Sequence, residues 1–488
     1  MWARGAGTEY CLVTDIITGL NLSPLEILTL LSALALVVAR WLPAGARPRV
    51  TIAAGAVLLL SVVVLCVTGL RWQLLPVLAG AIVVAPFAVS PLVRGHARRV
   101  RWWLALPGTV ACACLIITGP LAAWAFPIPV LPEPSGRYAV GTRVLQWTDQ
   151  DRPETFTPDP QDRRTVVVQL WYPAQNSPAD VPRAQYLGRT EDEARTVSEA
   201  LASGVGLPGF LFDGVPRART HSVADAPVAD GRFPVVLFSP GSSGVRTQNT
   251  AWAEDLASHG YVVAALDHPY DSAAVVLDDG RTITSATVST GDRDEDDRLA
   301  ENWTAIRAAD LGFALTRLEA LDQGTDPLTG HLDTTHVAAT GHSMGGAAAL
   351  QAARQDHRID AVINLDGYPR GPLSPTLTQP TLALTQAITP DTDPRYLPQL
   401  TDVLTHGTAT NYRLTIPDTA HLTFMDGPLF LPPVPSIVGS LGRTQGPHVV
   451  AATSLAFLDT ILRNGSGDLA STLSTYGELN VFRPGTSR

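Results

Sequence analysis

The stretch Gly341-His342-Ser343-Met344-Gly345 sets a serine between two glycines. The β-branched and small run His336–Thr340 precedes it, and an alanine-rich helical pattern, Met344–Arg354, comes after it. G-x-S-x-G between a strand and a helix is the arrangement of a nucleophile elbow. So sharp a turn leaves no room for side chains on its flanks, and it lifts the serine hydroxyl clear of a sheet. N–H groups at the start of the helix, beginning with that of Met344, face any oxyanion formed there. The competing reading is a plain glycine-rich turn, and the flanking strand and helix weigh against it.

A serine hydroxyl attacks a carbonyl only when a base takes its proton, and the base needs an acid to fix its tautomer. The chain order on such a scaffold is serine, acid, histidine. Downstream of Ser343, His357 lies on the following helix, His406 in an irregular stretch and His448 at the start of a late helix. His421, in IPDTAHLTFMDG, follows the run Asn411–Ile416, so it occupies a loop at a strand's carboxyl edge and is the expected base. His268, in LDHPYD, precedes the serine and reads as a packing residue or part of a pocket rim. For the acid, Asp366 ends the run Ala361–Leu365, while Asp391 and Asp393 follow the next strand, Thr381–Leu384. Both positions lie at a carboxyl edge. Asp418 stands too near His421 in sequence to orient it. A second oxyanion donor is expected after an earlier strand. PVVLF ends at Phe238, and in the adjoining SPGSSG the backbone N–H of Ser242 is the candidate partner for that of Met344. GDRDEDDR (291–298) fits no calcium-loop spacing and reads as an acidic helix start. Nothing in the sequence calls for a cofactor or a metal.

These residues need a sheet whose strands end on one side. Candidate strands are Thr165–Tyr172, Pro234–Phe238, Tyr261–Leu266, His336–Thr340, Ala361–Leu365, Thr381–Leu384 and Asn411–Ile416. Several are continuous apolar runs, as strands covered on both faces should be. Helical patterns at Arg246–Ser258, Arg298–Leu321, Met344–Arg354 and His448–Leu462 alternate with them. That alternation predicts an α/β fold with a mostly parallel sheet between helices. Residues 184–222 and 386–408 show no clear period and read as insertions or lids.

At 488 residues the chain is too long for one ordinary domain, and its first quarter is compositionally distinct. Four apolar spans, about 25–42, 50–70, 74–93 and 103–126, approach or reach the ~20 residues that cross a bilayer. Trp41, Trp72, Trp102, Trp103 and Trp124 mark their ends, where indole rings favour the headgroup region. A cleavable leader is disfavoured, because Arg4 is outnumbered by Glu9, Asp15 and Glu26 before and within the first span. Arg40, Arg47 and Arg49 fill the first loop and Arg94, Arg98, Arg99 and Arg101 the third, so both are expected in the cytoplasm. The expectation is a multi-pass membrane module over 1–126, a stiff proline-rich linker over 127–138 (PIPVLPEPSG with Arg137 and Tyr138), and a catalytic domain over 139–488 outside the cytoplasm. Nine of 35 arginines but only four of 45 acidic residues lie at or before Glu133, so the larger domain is acidic. Nucleic acid is thereby disfavoured as a partner. The chain has no lysine. Cys11, Cys66, Cys112 and Cys114 all precede residue 115, so the larger domain has neither a disulfide nor a cysteine metal site.

From about residue 139 the chain resembles the plasma-type platelet-activating-factor acetylhydrolase family, which has the α/β-hydrolase fold. The stretches that carry the resemblance are VGTRVLQWTDQDRPE, RRTVVVQLWYPA, PVVLFSPGSSGVRTQ, EDLASHGYVVAALDHPYDS, GHSMGGAAAL and INLDGYP. The resemblance implies a Ser343–Asp366–His421 triad, which favours Asp366 over Asp391 and Asp393, and backbone donors at Ser242 and Met344. It also implies metal-free release of short acyl groups from phospholipids or related esters. Two departures stand out. Pro240-Gly241 replaces the His-Gly usual after the oxyanion strand, and SPG with GHSMGG is also similar to bacterial cutinases and polyester hydrolases. The membrane module has no counterpart in the well-known members. The expected function is a membrane-anchored serine ester hydrolase acting on short-acyl or lipid-like esters. A cutinase-like hydrolase, an acyltransferase and a non-enzymatic membrane sensor or scaffold are the alternatives. No protein partner is inferable.

Overall fold

A computed structural model describes residues 21–94, 102–178, 180–287, 289–371, 375–390 and 392–485. Cys11, Arg98, Arg99, Arg101 and Asp391 lie outside the described residues. Contacts divide the chain into two units, Met1–Ile128 and Pro129–Arg488.

In the first unit, α1 (Pro24–Ala39), α2 (Arg47–Thr68), α3 (Leu75–Arg94) and α4 (Trp102–Ala125) form a helical group. Among the described residues, three stretches are long and apolar enough to cross a membrane: Arg47–Thr68, Trp72–Val93 and Ala105–Ala125. The first expected span is shorter than the others. The Ser23–Glu26 capping box and Pro24 fix its start, and α1 holds 16 residues, about 24 Å of helix against a ~30 Å hydrocarbon core. Outward side chains are apolar: Leu59 and Leu60 are 68% exposed and Val67 84%. Polar groups turn inward instead, with Thr29 donating to Ser61 at 3.0 Å and Arg71 paired with Glu26 at 3.4 Å. That inversion suits a lipid solvent.

The second unit is built on a ten-stranded sheet. Its strands are β1 (Ala139–Pro153), β2 (Arg163–Ala174), β3 (Val223–Ala224), β4 (Phe233–Ser239), β5 (Val262–Asp267), β8 (Leu332–His342), β9 (Ala361–Leu365), β10 (Thr381–Thr385), β11 (Asn411–Thr415) and β12 (Glu478–Phe482); β6 (Ala274–Val276) and β7 (Thr282–Thr284) form a separate hairpin. The order is β12-β11-β10-β9-β8-β4-β5-β2-β1-β3. Neighbours from β5 through β11 are parallel, and β1, β2 and β12 pair antiparallel at the flanks. This is the α/β-hydrolase arrangement.

Alternation within the strands explains the two layers. Val235 and Leu237 of β4 and Val337 and Ala339 of β8 join one core with Leu311, Leu315 and Leu318 of α7 (Arg293–Asp322) and the alanines of α8 (Met344–Gln355). Val236, Phe238 and Ala338 face the other way, against Trp252 and Leu256 of α6 (Thr250–Ser258) and Phe457 and Leu458 of α10 (Gln445–Leu462). Every residue of β4, β5, β9 and β10 is buried, which is why these strands read as unbroken apolar runs.

The structure adds elements that the sequence pattern does not show. β1 is missed because, as a flanking strand, it is only partly buried and mixes Arg143, Gln146 and Asp149 with apolar residues without a steady alternation. The two aperiodic stretches each hold a helix, α5 (Glu191–Gly204) and α9 (Tyr396–His406). α5 buries Glu193, paired with Arg246 at 2.8 Å and Arg189 at 2.8 Å, so a charge sits where an apolar residue would reveal the period. The proline-rich stretch from Pro129 on runs along the second unit rather than free of it. The Leu131 carbonyl accepts from His221 at 3.0 Å, and the Gly136 N–H donates to Ser258 at 2.9 Å.

Candidate active site

The parallel strands all end on one side of the sheet, so the turns after β4, β8, β9, β10 and β11 converge there. Ser343 occupies the turn from β8 to α8 with φ 55° and ψ −121°, in the left-handed half of backbone space. A non-glycine residue holds such angles only when its surroundings enforce them. Here a Cβ on Gly345 would run into the Ser239 carbonyl, and one on Gly341 into the Gly345 carbonyl. Only glycines let β4, the turn and α8 approach so closely. The Ser343 N–H donates to the Leu365 carbonyl at 2.9 Å, which ties the elbow to β9.

The next turn is closed by Asn364. Its Oδ1 accepts from the Gly367 N–H at 2.7 Å and its Nδ2 donates to the Gly367 carbonyl at 2.9 Å. Asp366 between them takes φ 52° and turns its carboxylate toward the loop after β11. There Oδ2 accepts from His421 Nδ1 at 2.7 Å. Oδ1 accepts from the Gln386 N–H at 3.0 Å and the Tyr396 hydroxyl at 3.1 Å. Burial, and then the Asp366 charge, push the Tyr396 phenol well above its ordinary range, so it stays a donor. The Asp366 side chain is 1% exposed and that of His421 40%. With Nδ1–H committed to Asp366, His421 Nε2 is left as the proton acceptor.

His421 opens a 3₁₀ turn over His421–Phe424, braced where the Ala420 N–H donates to Thr423 Oγ1 at 2.8 Å. A second histidine holds this turn from below. His342 Nε2 donates to the His421 carbonyl at 3.0 Å, and His342 Nδ1 accepts from Gln248 Nε2 at 2.9 Å. Complete burial, reinforced by His421, keeps His342 well below the usual imidazole range, so it is neutral with its tautomer fixed by these two partners. The two imidazole rings lie 4.5 Å apart. Gln248 also reaches the loop after β4, where its Oε1 accepts from the Gly241 N–H at 3.1 Å. Sequence reasoning misses His342 and Gln248, since each acts through a neighbour's backbone.

Among the described residues, the N–H groups of Ser242 and Met344 have no hydrogen-bond acceptor. Ser242 is exposed, and Ser343 and Met344 are half-buried. The other candidates are elsewhere. Asp393 pairs with Arg293 at 2.7 Å and Arg395 at 3.3 Å. Asp418 holds a left-handed turn whose carbonyl accepts from Ser440. His357, His406 and His448 are exposed. Asp292, in the acidic run, caps α7 by accepting from the N–H groups of Asp294 and Glu295.

His268 is fully buried, and it forms a second Ser-His-Asp series. Ser239 Oγ meets its Nε2 at 2.9 Å, and Asp310 Oδ2 meets its Nδ1 at 2.8 Å. Burial alone would raise the Asp310 carboxyl, but Arg164, bonded to it at 2.7 Å, holds it well below the usual range. Burial pushes the His268 imidazole down to about 4, so the ring is neutral at physiological pH. No atom of this series is open to substrate.

Known proteins share much of this chain. Residues 126–464 match a family model described as platelet-activating factor acetylhydrolase, isoform II. A probable 1-alkyl-2-acetylglycerophosphocholine esterase of Arthroderma benhamiae is 28% identical over 268 residues, covering 53% of this chain and 64% of its own length. The platelet-activating factor acetylhydrolase of Cavia porcellus is 26% identical over 260 residues, or 49% of this chain and 55% of its own length. The chain thus spans less than two thirds of these curated relatives. Cutinase est1 of Thermobifida alba is 26% identical over 189 residues, 39% of this chain and 50% of its own. Among solved structures, a ferulic acid esterase from Streptomyces cinnamoneus superposes with a TM-score of 0.58 at 31% identity, covering 72% of this chain and 99% of its own.

Proposed function

Since the chain belongs to the platelet-activating factor acetylhydrolase isoform II family, we propose that it is a serine-dependent carboxylic ester hydrolase, anchored in a membrane by its N-terminal helices. The observation that carries this reading is the 2.7 Å contact between Asp366 and His421, taken with a serine held at φ 55° on the strand-to-helix turn that precedes β9. In the proposed reaction His421 Nε2 takes the proton of Ser343 Oγ as that oxygen bonds to the ester carbonyl carbon. The carbonyl oxygen becomes an oxyanion and is met by the N–H groups of Ser242 and Met344. The carbon–oxygen bond to the alcohol then breaks, and the alcohol leaves with the proton from His421. Water repeats the sequence on the acyl-enzyme and releases the acid. Asp366 stabilises the imidazolium in both halves.

Short-acyl or lipid-like esters are the proposed substrates, in keeping with the acetylhydrolase relatives and with apolar helices on the same chain. A second reading, a cutinase-like or aromatic-ester hydrolase, is favoured by Pro240-Gly241 after β4 and by the cutinase and ferulic acid esterase similarities. Arg40 precedes the first long helix, Arg47 and Arg49 lie in its first turn, and Arg71 follows its far end. The positive-inside rule then puts the catalytic unit outside the cytoplasm whether or not α1 crosses the bilayer.

The test is labelling of membranes with a fluorophosphonate, followed by hydrolysis of p-nitrophenyl esters of increasing acyl length. Wild type is expected to label and to prefer the shortest chains, and Ser343→Ala to lose both activities. Full labelling of Ser343→Ala sinks the serine mechanism. A preference for long or aromatic acyl groups moves the substrate to the second reading.

A further inference from the structure

We propose that Arg307 is a positioning residue for the oxyanion hole, fixing the plane of the Gly241–Ser242 peptide so that the Ser242 N–H faces the attacked carbonyl. The inference rests on the reading of Ser343 as nucleophile and Ser242 as donor. Arg307 lies on α7, fully buried, far in sequence from every residue of the proposed mechanism. Its guanidinium Nη2 donates to the Gly241 carbonyl at 2.9 Å, and Nη1 donates to the Pro240 carbonyl. Two consecutive carbonyls of the loop after β4 therefore point at one cation.

A trans peptide carries its N–H on the side opposite its C=O. Drawing the Pro240 and Gly241 carbonyls toward Arg307 turns the N–H groups of Gly241 and Ser242 away from it. The first is taken up by Gln248 Oε1 at 3.1 Å. The N–H after Ser242, that of Ser243, goes to Asp271 Oδ1 at 3.3 Å. Ser242 is left between two satisfied neighbours, and its own N–H has no acceptor among the described residues. The positive charge on the Gly241 carbonyl also polarises that peptide, which strengthens its N–H as a donor to negative charge.

The cation is itself fixed on every side. Nε is bonded to the buried carboxylate of Asp271, and Nη1 reaches Ser239 Oγ at 3.3 Å. Ser239 donates in turn to neutral His268 Nε2, whose Nδ1–H is anchored on Asp310. The buried Ser-His-Asp series thereby acquires a role. It fixes the direction of the Ser239 hydroxyl, so that this oxygen accepts from Arg307 rather than competing with it. Lysine could supply the charge at this position, but its single ammonium with three donors cannot hold Asp271, Ser239 and both carbonyls at once.

The full chain in detergent micelles, acting on p-nitrophenyl acetate, provides the test. Arg307→Lys is expected to lose about 10²-fold in kcat, the worth of one oxyanion donor, with KM within about threefold of wild type. The inhibition constant of a trifluoromethyl ketone, whose adduct is an oxyanion, is expected to rise in proportion. Millimolar guanidinium is expected to restore activity to Arg307→Ala and not to Arg307→Lys. Wild-type kcat in Arg307→Lys overturns the proposal. So does a loss of kcat with an unchanged ketone inhibition constant, which a merely structural arginine would give. Should the Arg307 variants fail to fold, Asp271→Asn loosens the same guanidinium while keeping its shape. It is expected to lower kcat about tenfold at constant KM, and wild-type kcat there is equally fatal. The two readings fail separately: undiminished labelling of Ser343→Ala removes the serine mechanism, whereas a dead Ser343→Ala beside a normal Arg307→Lys removes only the clamp.

Discussion

Three donors converge on Asp366, and they make it unlike the other acids near the sheet's carboxyl edge. A carboxylate held by the Gln386 N–H, the Tyr396 hydroxyl and His421 cannot turn to another partner. Asp366→Asn is expected to lower kcat about 10⁴-fold with little change in KM, because the amide stabilises the wrong imidazole tautomer. Tyr396→Phe removes one bond to a charged acceptor and leaves the others, so a fall of about tenfold is expected. Steady-state rates on a soluble short-acyl ester check both, and equal losses in the two variants would refute the ranking. The places of Ser343, Asp366 and His421 at strand ends, which make them the proposed triad, were legible in the sequence because each follows an apolar strand run. What separates Asp366 from Asp393 was not legible from pattern alone, since Tyr396 and the arginines around Asp393 come together only in three dimensions. His342 and Gln248 left no signal at all, because a histidine inside the elbow motif and a glutamine in a helix start look ordinary in one dimension.

Among the elements, the junction of β4, β5 and α7 is the one most exposed to acid. His268 is held near 4 by burial, with Arg307 and Arg164 acting in the same direction. In the unfolded chain a histidine takes its proton near 6.5. Between those values the unfolded state binds more protons than the folded one, so stability must fall as pH drops from about 6.5 toward 4. Neutral His342 contributes in the same direction. The loss is expected to be on the order of a few kcal/mol. Urea midpoints at pH 7.5 and pH 5 measure it, and a midpoint independent of pH would contradict the assignment of a neutral buried ring. The strands flanking this junction were legible because both of their faces are buried, which leaves only apolar letters. β1 and α5 were not, because β1 is only partly buried and carries charged residues among its apolar ones, and α5 spends an inward position on Glu193. Arg307 is hidden for a related reason: within the long α7 it is one of several arginines, and only its buried partners distinguish it.

At the scale of the molecule, two units of opposite character share one chain, and composition alone made the boundary visible. The length of α1 was less legible, since a largely apolar 18-residue span does not show where a Ser23 cap starts a helix or where it stops. Residues 129–488 carry every group of the proposed mechanism and their own core. Expressed alone, they are expected to hydrolyse soluble esters with kcat within about threefold of the full chain, which itself pellets with membranes after carbonate extraction. External protease is expected to reach them in cells with an intact membrane, and protection would reverse the proposed orientation. The Ser343 N–H on the Leu365 carbonyl has a consequence for how such a chain diversifies. The proposed nucleophile and acid are joined through adjacent strands and one hydrogen bond, so Leu332–Gly367 is expected to tolerate little revision. His421 arrives on a separate loop after β11, and the chain between can lengthen, shorten or refold without disturbing the pair. New substrate preferences in descendants of this sequence should therefore accumulate in 386–410 and 184–222, while the elbow stays the same.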